Sequence, residues 1–403
     1  MRLGILTLHS QTNYGGVLQA YALQEILKRL GHDVVVIDRW MDECNSTLRG
    51  ITSSRSVVGW AKFLARASLG FGDLADYVRH LRTVKMLPTL LRLSHYSFHH
   101  WIDAPEQLDI DAIVVGSDQV WNPLIQGDEL PYLLEGAPTI PAIAYAASFG
   151  THTLPKKLTS RYRDGMAKFN AISVREKEGV DIVNSLGLSA AHVLDPTLLV
   201  QPSAWNRFIK ESPKPSHRKL VCYLIQDPLG FVVNDMKHFA KQQDCDVEIF
   251  FGGPCQLMPS SIIALAKIST GAVRSLLAGR VHTHFTATPN EFLDEISHAD
   301  WVLTDSFHAL MFSAIFKRNV RVLKPRNGRG TSDFVRLEEF VNKLASPKVL
   351  CSDYSEAFAS FVTDAPSLFD ESRINEQRSF SMKWLKDALS QVQPTNRTFR
   401  KEV

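Results

Sequence analysis

Short runs of β-forming apolar residues recur along this chain, and stretches of helical periodicity separate them. RLGILTL (2–8), DVVVID (33–38), DAIVVG (111–116), IAYAAS (143–148) and AISV (171–174) form a first series. KLVCYLIQ (219–226), DVEIFF (246–251), WVLT (301–304) and VRVLK (320–324) form a second. Strands that are apolar on both faces and alternate with helices belong to parallel sheets covered on both sides. The expected class is α/β, with two Rossmann-like domains.

The first unit shows the pattern in detail. After the strand 2–8, HSQTNYGG is a polar, Gly-ending loop, and a helix over Val17–Leu30 places Val17, Tyr21, Leu27 and Leu30 near one face. Gly31 ends it, and the next strand begins at Asp33. In such a βαβ unit the loop leaves the carboxyl end of a strand and enters a helix N-terminus, where free N–H groups favour an anion. A length of 403 residues suggests two domains at roughly 100–200 residues each. ESPKPSHRK (211–219) is the most linker-like stretch, so the expected division is 1–212 and 213–403. Residues 44–105 interrupt the alternation and read as a mostly helical insertion in the first domain.

Composition removes several classes of function. With 45 Lys and Arg against 42 Asp and Glu, the charge is too balanced to indicate nucleic acid, so an anionic partner should be small and locally bound. Five cysteines, Cys44, Cys222, Cys245, Cys255 and Cys351, lie without a CxxC pair, as expected of reduced thiols in a cytoplasm. The N-terminus reads as no signal peptide, and no apolar run of about 18 residues is present. SVVGWAKFLARASLGF (56–71) mixes apolar and basic residues around Trp60; it reads either as a helix lying on a membrane surface or as one packed on its own domain. His95, His99 and His100 offer an i, i+4 pair on a helix, without an evident third metal ligand.

The second series contains the densest chemistry. In WVLTDSFHALMFSAIF, Thr304, Asp305 and Ser306 fall where a strand ends, Asp305 or Ser306 can cap the helix that follows, and His308 lies in its first turn. Ligands of open α/β sheets bind at such strand ends. Taken alone, the turn reads sooner as a capped helix with a satisfied histidine.

Four stretches in order, TNYGGVLQAYALQ (12–24), DAIVVGSDQVWNP (111–123), SVREKEGVDIVNSLG (173–187) and ADWVLTDSFHALMFSAIF (299–316), resemble the polysaccharide pyruvyl transferase family, as does DPTLLV (195–200). The resemblance implies two domains facing a cleft, similar to the glycosyltransferase-B architecture. It also implies transfer of the enolpyruvyl part of phosphoenolpyruvate onto two saccharide hydroxyls as a cyclic ketal, in surface polysaccharide biosynthesis. No metal or organic cofactor is implied. The acceptor would be nucleotide-linked, lipid-linked or polymeric, and the location cytoplasmic, at the inner face of the membrane if 56–71 lies on it.

On this resemblance His308 is the general acid or base and Arg175 grips the donor's carboxylate or phosphate. Asn13, Tyr14, Gly15 and Gly16 would line the cleft. Asp118 and Gln119 would bind acceptor hydroxyls, with Trp121 a stacking surface for a sugar ring, or else core. Asp305 and Ser306 would face the same site, and Lys324, with Arg326 and Arg329 nearby, would meet the phosphate. The chain departs from the family at Ala309, where Gly is common after the histidine, and fits loosely beyond Lys324. Two rival readings are a glycosyltransferase with a nucleotide-sugar donor and a non-catalytic saccharide-binding protein of the same pathway.

Overall fold

A computed structural model describes residues 1–9, 13–39, 71–101, 104, 108–126, 129–211, 217–225, 233–251, 280–324, 331–363 and 368–392. The segment 56–70, Cys44, Cys255, Arg326 and Arg329 lie outside the described residues.

The first sheet contains β1 (Arg2–Leu6), β2 (Asp33–Arg39), β3 (Leu93–Phe98), β4 (Ala112–Val115), β5 (Ala142–Ala147), β6 (Ala171–Val174) and β7 (Ala191–His192). Their spatial order is β3-β2-β1-β4-β5-β6-β7, and every pairing is parallel. The second sheet contains β8 (Arg218–Tyr223), β9 (Cys245–Phe250), β10 (Val281–His284), β11 (Trp301–Thr304), β12 (Asn319–Leu323) and β13 (Leu350–Cys351), in the order β10-β9-β8-β11-β12-β13 and again parallel. Both sheets therefore reverse strand order beside their first strand, between β1 and β4 and between β8 and β11. A doubly wound sheet leaves a crevice for ligand at that point.

The helices used below are α1 (Tyr14–Arg29), α2 (Phe71–Leu90), α3 (Lys177–Ser185), α4 (the short Pro196–Leu199), α5 (Pro289–His298), α6 (Phe307–Ile315), α7 (Thr331–Leu344) and α8 (Glu371–Ser390). Asn13 caps α1 by accepting the Gly15 N–H, Lys28 and Arg29 suit its carboxyl end, and Gly31 at φ +88° stops it. Buried along most of its length, α1 lies between the first sheet and the helices of the second unit. The Tyr14 ring stacks on Phe292 of α5 at 4.6 Å, and its hydroxyl donates to the Phe251 carbonyl at 2.8 Å. One apolar cluster thus runs from the first sheet into the second.

Dividing the chain at residue 212 leaves each sheet whole, but α8 returns to the first. Ser381 Oγ accepts the Leu194 N–H at 2.9 Å, and Trp384 lies 6.2 Å from the Tyr145 ring. In the interruption after β2, α2 is followed by β3, an edge strand pairing with β2. His95 is in that strand and His99 and His100 follow it, so they share no helical face. Among the described residues no three His, Cys, Asp or Glu side chains group to hold a metal ion, and no helix is long and apolar enough to cross a membrane.

Candidate active site

The two reversals in strand order bring their following loops together. After β11, Thr304 Oγ1 donates to the Tyr223 carbonyl and accepts the Ser306 N–H, while Asp305 Oδ1 accepts the Ile225 N–H at 2.6 Å. Ser306 caps α6 through Ala309 N. Asp305 and Ser306 thereby tie the tips of β8 and β11 and start α6 in a fixed direction. His308, in the first turn of that helix, is 6% exposed.

It faces the first turn of α1. A Cβ on Gly15 would lie 2.1 Å from His308 Nδ1, so only glycine permits this approach. A Cβ on Gly16 would meet the Leu8 carbonyl at 2.9 Å and lie 3.4 Å from Asp118 Oδ2. Asn13 is occupied as the cap, and Tyr14 points away into the aromatic cluster. The sequence places all four at the cleft; two serve it by being small and two by holding α1.

His308 Nε2 is 3.8 Å from Asp195 Oδ2. Asp195 precedes α4 and caps it, its Oδ1 accepting the Thr197 N–H at 2.9 Å and the Thr197 hydroxyl at 2.7 Å. Its Oδ2 accepts from Arg175 Nη1 at 2.9 Å and Ser117 Oγ at 3.2 Å. Arg175 leaves the end of β6; its Nε donates to Glu176 at 3.0 Å, its Nη2 lies 3.6 Å from Asp118, and its guanidinium covers the Phe307 ring at 4.5 Å. The fork expected to grip a donor is therefore largely held by the protein's own carboxylates, leaving Nη2 as the nitrogen without a hydrogen bond.

These neighbours set the charges. Burial pushes the Asp195 carboxyl upward, but Arg175, His308 and Thr197 outweigh it and hold it below the usual value. Burial holds the His308 imidazole below its ordinary value, against the opposing pull of Asp195 and Asp118. At neutral pH the site thus contains an uncharged imidazole beside an Asp–Arg pair. Asp118, in the left-handed region at φ +72°, completes the cluster.

Other expected site residues stand apart. Trp121 is fully buried, donates through Nε1 to the Tyr132 carbonyl at 3.1 Å and packs on Phe149 and Phe169, so it is core and offers no ring face to a sugar. Gln119 accepts from Asn122 Nδ2 at 2.6 Å, bracing the turn around Gly150. Lys324 is exposed at the end of β12, and among the described residues its ammonium meets no member of the cluster. Three residues that the sequence reading assigned no role complete the site: Asp195, Glu176 and Arg336. The run DPT, an Asx cap with proline at the first helical position, signals Asp195 locally but not its neighbours. Arg336 of α7 lies 4.0 Å from Glu176, and both border a narrow recess that also touches Phe149, Gly150, Thr151 and Glu178.

Two Rossmann-like sheets with their reversals joined across a cleft define an α/β protein of the glycosyltransferase-B type. UDP-GlcNAc 2-epimerase from Methanocaldococcus jannaschii has this fold, with a TM-score of 0.51 and 11% identity over 97% of this chain and 99% of its own. So do the UDP-N-acetylglucosamine 2-epimerase of Rickettsia bellii (0.51, 11%, 99% and 98%) and the UDP-GlcNAc 2-epimerase of Neisseria meningitidis bound to UDP-GlcNAc (0.50, 12%, 97% and 100%). At such identity the likeness concerns the fold alone. No curated protein matches the chain. The family model for polysaccharide pyruvyl transferase matches residues 13–327, and the chain belongs to that family of transferases.

Proposed function

We propose that the protein transfers the enolpyruvyl group of phosphoenolpyruvate to two hydroxyls of a saccharide, forming a cyclic ketal in surface polysaccharide biosynthesis. The observation that carries this reading is His308: a buried imidazole, held below its ordinary pKa, set where the first turns of α1 and α6 meet. Helix N-termini favour the anionic donor. Arg175, beside His308 in the same cluster, is the cation we assign to its carboxylate or phosphate.

The chemistry needs a group that takes and returns protons. As a sugar oxygen bonds C2, its proton passes to His308, which returns it to C3, so that the =CH2 carbon becomes a methyl group and the imidazole is neutral again. Attack of the second hydroxyl at C2 then expels phosphate, its proton leaving through the same imidazole. We assign the acceptor hydroxyls to Asp118, which lies beside Arg175 and the first turn of α1.

A thermal-shift titration tests the donor. Phosphoenolpyruvate at 100 times its Kd should add about 2.7 kcal/mol of apparent stability. Arg175→Ala should remove the response and His308→Ala should keep part of it. Stabilisation by UDP and none by phosphoenolpyruvate would favour a nucleotide-sugar glycosyltransferase instead, a reading suggested by the UDP-GlcNAc bound to the Neisseria meningitidis epimerase.

A further inference from the structure

The two nitrogens of His308 face opposite sides of the site. Nδ1 looks onto Gly15 in the first turn of α1. Nε2 is turned to Asp195 Oδ2, 3.8 Å away, and is buried without a hydrogen-bond partner. We propose that Asp195 is the positioning residue of His308: it keeps the proton of the neutral imidazole on Nε2, which makes Nδ1, facing α1, the atom that exchanges protons with substrate. The substrate's identity rests on the pyruvyl reading; the proton's position does not.

The geometry supports this in three ways. An ionised carboxylate only accepts hydrogen bonds, so the nitrogen facing it is the one that gains from holding the proton. Asp195 is fixed independently of the histidine, with Oδ1 on Thr197 and Oδ2 on Arg175 and Ser117. Ser117 is itself anchored: its carbonyl accepts from Thr7 Oγ1, which accepts from Gln19 Nε2 of α1, the helix that carries Gly15. Carboxylate and glycine thus form one rigid frame around the ring.

The remaining separation matters too. At 3.8 Å the contact is longer than a hydrogen bond, and a relative movement of about 1 Å would complete it. His308 is on α6 of the second sheet and Asp195 on the first sheet's side, so the pair spans the two units. Arg175, shared with Glu176 and Asp118, offsets part of the negative charge of Asp195.

The test is the ¹⁵N spectrum of the full chain with ring-labelled histidine, the His308 signals assigned by their loss in His308→Gln. The expected neutral form carries its proton on Nε2 in the wild type, and Asp195→Asn should raise the Nδ1–H form several-fold. Ser117→Ala, which leaves the Arg175 and Thr197 contacts in place, should shift the ratio the same way by less. In a phosphoenolpyruvate turnover assay Asp195→Asn should lower kcat by ~10²- to 10⁴-fold with little change in KM for the donor. A wild-type ring protonated on Nδ1, or a ratio unmoved by either variant, overturns the inference; if Asp195→Asn does not fold, an unmoved ratio in Ser117→Ala is decisive. Absence of any turnover with phosphoenolpyruvate would refute the functional reading and leave the spectroscopic result to decide this one.

Discussion

At the scale of single residues, the site depends on a missing side chain as much as on those present. Gly15→Ala would place a methyl group 2.1 Å from His308 Nδ1, and the ring, backed by Asp195, must shift. Overpacking of this kind costs about 1–3 kcal/mol, and we expect turnover to fall far more than the melting temperature suggests; activity near the wild type would show that the ring has other room. The charge of His308 gives a second prediction. Because burial disfavours the imidazolium, the acid limb of kcat/KM should have its midpoint below the ordinary histidine value of about 6.5. Asp195→Asn removes an opposing influence and should move that limb lower still, whereas a limb above the ordinary value would mean that another group titrates. The strand, cap and helix start around His308 were legible in the sequence, but its role came only from the resemblance of four stretches, since the turn alone reads as a capped helix. Trp121 stayed open between sugar and core, and Tyr14 was expected to line the cleft, because a ring after a strand or at a helix start looks the same whether it faces ligand or core; only the neighbours, Phe149 and Phe169 or Phe292, decide.

At the scale of elements, α3 receives its cap from the second sheet's side. Glu176, at the N-cap position, makes no side-chain cap bond because its carboxylate is on Arg175; Glu339 of α7 accepts the Lys177 N–H instead, at 3.1 and 3.3 Å. His192 of β7 lies beside it, 3.5 Å from Glu339 and 3.0 Å from the Arg175 carbonyl. Burial pushes the Glu339 carboxyl up to about 7, with Glu178 and Glu176 adding to it, and burial holds the His192 imidazole at about 4. The signs are opposite: Glu339 contributes stability fully present below about 4.5 and lost as pH rises through its folded value, and His192 contributes stability fully present above about 6.5 and lost as pH falls through its own. In the wild type the two slopes offset each other. Glu339→Gln should therefore gain stability relative to the wild type between about pH 5 and about pH 8, read from urea midpoints, and a constant difference would contradict the assignment. Strands with apolar runs were legible; β3 (LSHYSF), β7, β10 (VHTH) and β13 were not, since all four are polar or only two residues long and form sheet edges or their neighbours.

At the scale of the whole molecule, two repeated sheets would ordinarily be expected to unfold as two units, yet the packing argues for one. Tyr14 of the first unit stacks on Phe292 and lies 5.5 Å from Tyr223 of the second. Trp205, in the connection between the sheets, sits between Tyr21 of α1 at 5.7 Å and Phe312 of α6 at 5.0 Å. Arg79 of α2 is almost wholly buried and donates to the Phe251 carbonyl at 2.6 Å, and Arg82 pairs with Glu291 of α5, so α2 is lashed to the second unit. In the other direction α8 reaches back to Leu194, Leu198 and Tyr145. Removing either half exposes aromatic surface and carbonyls that the other half covers. The full chain should therefore melt in one transition, with near-ultraviolet circular dichroism and tryptophan fluorescence coinciding, although its length would permit intermediates. The fragment 1–212, cut where the linker composition alone divides the chain, loses both α8 and the partners of Tyr14. It should bind a hydrophobic dye and be cleaved rapidly by protease, while the intact protein resists. A protease-resistant fragment with a cooperative melt of its own would show that the first sheet is self-sufficient and that the shared cluster holds the cleft in place without holding up the fold.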